Sequence, residues 1–310
     1  MESINRMAIE LADEALDFAG ELNIGGFDLD NGATVIDFGV DHPGGIEAGL
    51  LLAELQTAGL ATVQTRVDEV AGATFPRVEL ACDRPALALL CSQKAGWEVS
   101  VDGYEGLGSG PARALVAEEE EFRAVGYTDA FDLTVLTLEG DELPDEQVAE
   151  HVADLAEIGT DGVYLAAYPT ASICGSVSMA ARAPELAVFR LFELGYDPTD
   201  VRSVSGSAPV APVAGDEETA IGRTNDALAY GGRVHLTVEE DADFFDELPS
   251  SATEEYGRPF ADIFAEADWD FYEVDERVFA PAQVTVDVVG GPTYAYGEVN
   301  EDLLAESFGL

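Results

Sequence analysis

A chain of 310 residues with 62 acidic against 14 basic side chains has a formal net charge of −48, while 47% of its residues are hydrophobic. That apolar share excludes an acidic disordered chain, and the charge excludes nucleic acid and anionic membrane surfaces as partners. Lys94 is the only lysine, so the acid excess reads as adaptation to a very salty cytoplasm, where a Debye length of about 3 Å at 1 M screens most of the self-repulsion.

In chain order, residues 3–22 carry Ile4, Met7, Ile9, Leu11, Ala15, Leu16, Ala19 and Leu22 at helical spacing, with Gly25-Gly26 as a stop. Asn31-Gly32 opens the alternating stretch ATVIDFGV, a strand after a tight turn. GGIEAGLLLAELQTAGL reads as a helix, LATVQTRVDEV and RVELACD as strands, RPALALLCSQKAG as a helix and WEVSVDG as a strand. After the acidic run Glu118–Glu121, a second unit starts near FDLTVLTLEG, continues through a helix at 144–159 and reaches the strand DGVYLAAYPT. A helix at 184–194 closes on Gly195, and AQVTVDVVG and TYAYGEVN end the chain as strands around Gly290-Gly291-Pro292. The expected fold is α/β with mixed sheets, in two lobes with a cleft between them. The lobes divide softly into 1–125, with the strands at 280–300 available to complete it, and 126–310.

Cys82, Cys91 and Cys174 show neither a CxxC pair nor a disulfide framework, and His42, His151 and His235 are scattered singly, so no metal site is expected. The opening residues lack the basic-then-apolar layout of a signal peptide, and no apolar run reaches bilayer length. A cytoplasmic protein is expected.

Three segments gather glycine or small residues at the mouth of an element, where backbone N–H groups can approach a ligand. YEGLGSGPARAL places Gly106, Gly108 and Gly110 before Pro111, a weak anion nest or an ordinary turn. APVAPVAGDEETAIGRTNDALAYGGRV packs Asp216, Arg223, Thr224, Asn225 and Asp226 between glycines, either for a polar ligand or as a solvated helix face. ICGSVSMAARAPELAVF sets Arg182 and Glu185 three apart, with small residues from Ala171 to Ala181 leaving room for a flat ligand. By composition alone this pair reads as an exposed helix-surface salt bridge.

NGATVIDFGV, GGIEAGLL, GSGPARAL, ICGSVSMAAR, LGYDPTDV, PVAPVAGDEETAIGRTNDALAYGG, DFYEVDERVFAPAQVTV and GEVN resemble, in order and over nearly the whole chain, the methenyltetrahydromethanopterin cyclohydrolase family. The resemblance implies a two-domain cytosolic enzyme, typically a homotrimer. Its reaction is the reversible hydration of the methenyl carbon of a pterin one-carbon carrier to the 5-formyl compound, with no metal or separate redox cofactor. It assigns the catalytic pair to Arg182 and Glu185, Glu185 as general base and Arg182 orienting it. Arg223, Asn225, Asp226, Lys94, Ser109, Arg113 and Ser176 become candidate contacts of the pterin or its tail. Two departures from the family pattern stand out: Phe38, where a cysteine is common, and Pro184 between the paired residues. The rival readings are a non-catalytic reduced-pterin-binding protein of the same fold and an unrelated hydrolase with Cys174 as nucleophile.

The charge itself makes a prediction. The melting temperature, followed by circular dichroism, rises steeply as KCl is raised from about 0.1 M to about 3 M, because the Debye length falls from about 10 Å to a few ångströms. A melting temperature independent of salt contradicts the screening account.

Overall fold

The computed structural model describes residues 3–267 and 274–310; residues 270–273, which open the DFYEVDERVFAPAQVTV stretch, lie outside the described residues. The elements are α1 (Ile4–Asp17), α2 (Ala19–Leu22), β1 (Gly25–Asp28), β2 (Thr34–Asp37), α3 (Ile46–Gln56), β3 (Ala61–Val70), β4 (Ala73–Cys82), β5 (Trp97–Val101), β6 (Tyr104–Ser109), α4 (Arg113–Val116), α5 (Glu120–Val125), β7 (Thr134–Glu139), α6 (Glu146–Ala156), β8 (Val163–Tyr168), α7 (Ile173–Ala180), α8 (Ala183–Glu193), β9 (Val201–Pro209), α9 (Glu217–Gly231), β10 (Arg233–Val238), α10 (Phe260–Glu266), β11 (Gln283–Val288), β12 (Thr293–Gly297) and α11 (Glu301–Phe308). The fold is mixed α/β, as the sequence pattern requires. Helix starts follow side-chain chemistry: Ser3, Asp145, Asp216 and Asn300 each accept a backbone N–H of the turn they open.

The chain forms two compact units that do not follow chain order. The first takes the residues up to Thr62 together with Ala86–Ser178; the second takes Val63–Pro85 together with everything from Met179 onward. The boundary expected at 125/126 falls inside the first unit, because β7 and β8 pair in parallel with each other and β8 with β2. The C-terminal strands that could have completed the first lobe instead join the second, β11 lying parallel to β10 and antiparallel to β12.

The first unit holds a six-stranded sheet in the order β1-β2-β8-β7-β6-β5. Alternate residues of β7 point to opposite faces. Val135 joins a core with Ile4, Ile36, Phe38, Leu52 and Leu55, whereas Leu136 and Leu138 join Val148, Val152 and Leu165. Phe38 is thus a core residue, fully buried, and its backbone N–H extends the ladder to Ala167 O. The helix expected around residues 86–93 exists and is fully buried, but it is wound as a π-helix, with Lys94 N–H reaching back five residues to Leu89 O.

The second unit holds a sheet in the order β12-β11-β10-β9-β4-β3. α8 packs on β9 and β10, and α9 packs on α10 and α11. A Cβ at Gly206 of β9 would come within 2.9 Å of Pro184 Cγ and of Arg233 O. Only glycine lets the first turn of α8 sit this close to the strand.

Asp226 of α9 is 2% exposed, and its Oδ1 accepts the N–H of Phe260, the first residue of α10, at 2.8 Å. Burial pushes its carboxyl up to about 6; the bonds from Ser307 and Phe260 only partly offset that. A carboxyl raised above its unfolded value of 3.8 contributes stability that is full below about pH 4 and is lost as pH rises through 6. Asp226→Asn keeps an acceptor for Phe260 without the charge. Its melting temperature is therefore expected to match or exceed wild type at pH 7.5, by a stability of about 1–3 kcal/mol, with the advantage gone at pH 4. A loss at pH 7.5 that persists unchanged to pH 4 contradicts this.

Candidate active site

Arg182 and Glu185 lie at the start of α8, Arg182 at the cap position and Glu185 in the first turn. They are not a surface pair: Arg182 is 5% and Glu185 3% exposed, with Arg182 Nη1 3.6 Å from Glu185 Oε2. Pro184 does not distort them. It occupies the first turn, where a missing N–H costs no helical bond, and the ladder starts normally with Leu186 N–H on Arg182 O at 3.0 Å. The helix N-terminus and the guanidinium both attract the Glu185 carboxylate, which is buried in the second unit. A base so placed can take a proton from a water without moving far.

The small residues before the pair serve packing. Ala180 and Ala181 are buried, and a Cβ at Gly175 would come within 2.2 Å of Pro169 O. They let backbones approach one another.

The other candidates divide between the units. In the first, Arg113 is fully buried. Its Nη1 donates to the carbonyls of Leu90, Ser92 and Lys94 at 3.2, 3.3 and 2.7 Å, its Nε donates to Glu119 at 3.1 Å, and its guanidinium lies 5.4 Å from the Phe122 ring centre. It caps the carbonyl end of the π-helical segment. Lys94 Nζ pairs with Glu121 at 2.8 Å. Ser109 Oγ meets Thr137 Oγ1 at 2.8 Å, and Ser176 is buried in α7. Gly106 and Gly108 sit inside β6 rather than in a loop before a helix, so the amide nest considered there is not formed by them. In the second unit, Arg223 Nε donates to Ser307 O at 3.2 Å and Asn225 Nδ2 to Ile221 O at 2.9 Å, both from α9. Arg223 on Ser307 O of α11 and Asp226 on the N–H of Phe260 of α10 tie helices together, whereas Asn225 bonds within α9 itself.

Cys174 is fully buried, donates to Gly45 O at 3.5 Å, and burial pushes its thiol up to about 11, which suits a packing residue and not a nucleophile. Among the described residues no three His, Cys, Asp or Glu side chains are grouped so as to hold a metal ion, and no helix is long and apolar enough to cross a membrane.

Sequence reading misses a polar network in the first unit. Gln56 Nε2 donates to Tyr168 Oη at 3.1 Å, Ser178 Oγ donates to Gln56 Oε1 at 3.0 Å, and Ser92 Oγ donates to Gln56 O at 2.6 Å. Tyr168 in turn reaches Glu139 Oε2 at 3.5 Å, and Thr170 Oγ1 donates to Glu139 Oε1 at 2.5 Å. The usable signal is a strand that ends on a carboxylate followed by glycine, Glu139-Gly140.

A family model described as Cyclohydrolase (MCH) matches residues 3–308. A methenyltetrahydromethanopterin cyclohydrolase of Halobacterium salinarum is 68% identical over 310 residues, covering both chains completely. Proteins of the same name from Methanosphaerula palustris and Methanocella arvoryzae are 40% and 42% identical over the whole of this chain and 100% and 99% of their own. The chain belongs to the cyclohydrolase (MCH) family and is a hydrolase acting on C–N bonds.

Proposed function

We propose that this chain catalyses the reversible hydration of the methenyl carbon of a 5,10-methenyl tetrahydropterin carrier to the 5-formyl compound, with Glu185 as general base and Arg182 holding it in place. The observation that carries this reading is the buried Arg182–Glu185 pair at a helix N-terminus. It occurs in a chain 68% identical to a relative named for that substrate.

The N–C–N carbon of the substrate is already cationic, so neither a strong nucleophile nor a Lewis acid is required. Glu185 takes a proton from a water as its oxygen adds to that carbon, giving a carbinolamine. The same carboxyl then returns that proton to the departing nitrogen as the C–N bond opens, while the carbinolamine hydroxyl gives up its own proton to solvent as the formyl C=O forms, so the positive charge of the substrate leaves as one proton. A fixed anion also favours the cationic substrate over bulk water. Arg182 acts through Glu185, keeping it ionised and aimed.

The carrier is proposed to be tetrahydromethanopterin or a tail variant of it, acting as substrate with no further cofactor. Lys94, Ser109, Arg113, Ser176, Arg223, Asn225 and Asp226 remain proposed contacts of the carrier. The inward bonds of Arg113 and Asp226 hold their own helices in place, each within its unit. A homotrimer is proposed as its assembly, and a salty cytoplasm as its setting, which fits the charge.

The test follows the near-ultraviolet methenyl band in molar KCl. Glu185→Gln is expected to slow its loss by 10²–10⁴-fold, the usual worth of a general base, while substrate binding persists. An unchanged rate removes the base assignment, and no turnover by wild type favours a pterin-binding protein without catalysis.

A further inference from the structure

The second unit contains a cavity that shares no residue with the Arg182–Glu185 pair. Tyr230, Ser250, Thr253, Glu255, Tyr256 and Phe260 line it, and aliphatic side chains complete the wall. Glu255 is only partly buried, yet its Oε2 is shut off from solvent and has no hydrogen-bond partner among the described residues. Two arginines lie within electrostatic reach of Glu255, but their own bonds go elsewhere. Arg258 Nη2 donates to Glu266 at 2.7 Å, and Arg277 Nε donates to both oxygens of Asp275 at 2.9 and 3.0 Å. A carboxylate oxygen enclosed without a partner is costly, and buried charges are ordinarily paired or bound to a metal ion.

The hydroxyls of the lining have no proton left for that oxygen. Ser250 Oγ donates to Ala229 O at 2.5 Å, Thr253 Oγ1 donates to Ser250 O at 3.0 Å, and Tyr230 Oη donates to Arg258 O. Each acceptor is a carbonyl, which fixes the direction of the bond, so each hydroxyl turns only lone pairs to any further neighbour. A carboxylate beside hydroxyl oxygens that act only as acceptors is the donor set of a hard cation. With a single carboxylate the set is too weakly charged for a divalent ion, which takes several. The rings of Tyr230 and Tyr256, with centroids 5.5 Å apart, and of Phe260 offer π-faces that a weakly hydrated cation accepts.

We infer that this cavity is a binding site for one weakly hydrated monovalent cation of the potassium type, held by Glu255 Oε2 together with the hydroxyl oxygens of Ser250 and Thr253. The bound ion neutralises the enclosed carboxylate and joins the segment 250–256 to Tyr230 of α9 and Phe260 of α10. Salt then acts on this chain in two ways, by general screening and by occupying one specific site.

The experiment separates the two on the full chain. Melting is compared in KCl and in tetramethylammonium chloride, both at about 1 M, so that screening is equal while the bulky cation is excluded from the cavity. Wild type is expected to melt about 4 °C higher in KCl. Glu255→Gln is expected to lose that difference, and Thr253→Val to lose about half of it; Thr253→Val decides the matter if Glu255→Gln does not fold. In crystals grown with RbCl, anomalous scattering at the rubidium edge is expected to place an ion on Glu255 Oε2. Equal melting of wild type in the two salts overturns the proposal, as does a KCl advantage unchanged in folded Glu255→Gln or, failing that, in Thr253→Val. A cavity without rubidium signal, holding water only, overturns it as well.

Discussion

A carboxylate and a guanidinium share a dry site at the first turn of α8, and this constrains everything around them. Taking two charges out of water costs several kcal/mol each, and their mutual attraction offsets that only when the geometry holds both. Removing one partner from such a pair typically costs 3–5 kcal/mol. The helix N-terminus adds to the same balance. The supports are therefore structural requirements of the pair: Pro184 starts the helix without an unsatisfied N–H, and Gly206 leaves room for its ring against β9. Under the proposed function, a cationic substrate carbon would meet a carboxylate held in place by Arg182 and the helix start.

The interior acids contrast with the exposed ones. Among 62 acidic residues, the buried Asp37, Glu121, Asp129, Glu185 and Asp226 each have an internal partner. The only lysine is spent on one of them, Glu121. Exposed charge answers to the salt around the protein, while buried charge fixes helices, turns and the first turn of α8. The net charge therefore says little about function, and the position of single acids says much.

Much of this was legible in the sequence, and the failures have physical causes. The helices and strands follow from periodicity and caps, and the α/β class from their alternation. The units were not legible, because strand pairing is non-local: residues 126–178 stay with the first unit through β7 and β8, and residues 63–85 leave for the second. Arg182 and Glu185 were visible as a spacing and through the family resemblance, but their burial was not, since i,i+3 pairs are mostly solvated. Arg113 and Asp226 were visible as polar residues in motifs that match the family, but their partners in the fold were not. Those partners are carbonyls about 20 residues away and the N–H of Phe260, 34 residues away. Glu139 was one acid among many until the fold placed it beside Thr170.

The most direct measurement is a double-mutant cycle on the pair, following methenyl-band loss in single turnovers for Arg182→Ala, Glu185→Gln and the two combined. Residues that act as a unit lose their effect once, so the combined variant is expected to be about as slow as Glu185→Gln alone. Losses that multiply, with Arg182→Ala slowing a chain already lacking the Glu185 carboxylate by its full factor again, contradict an arginine that works through the glutamate.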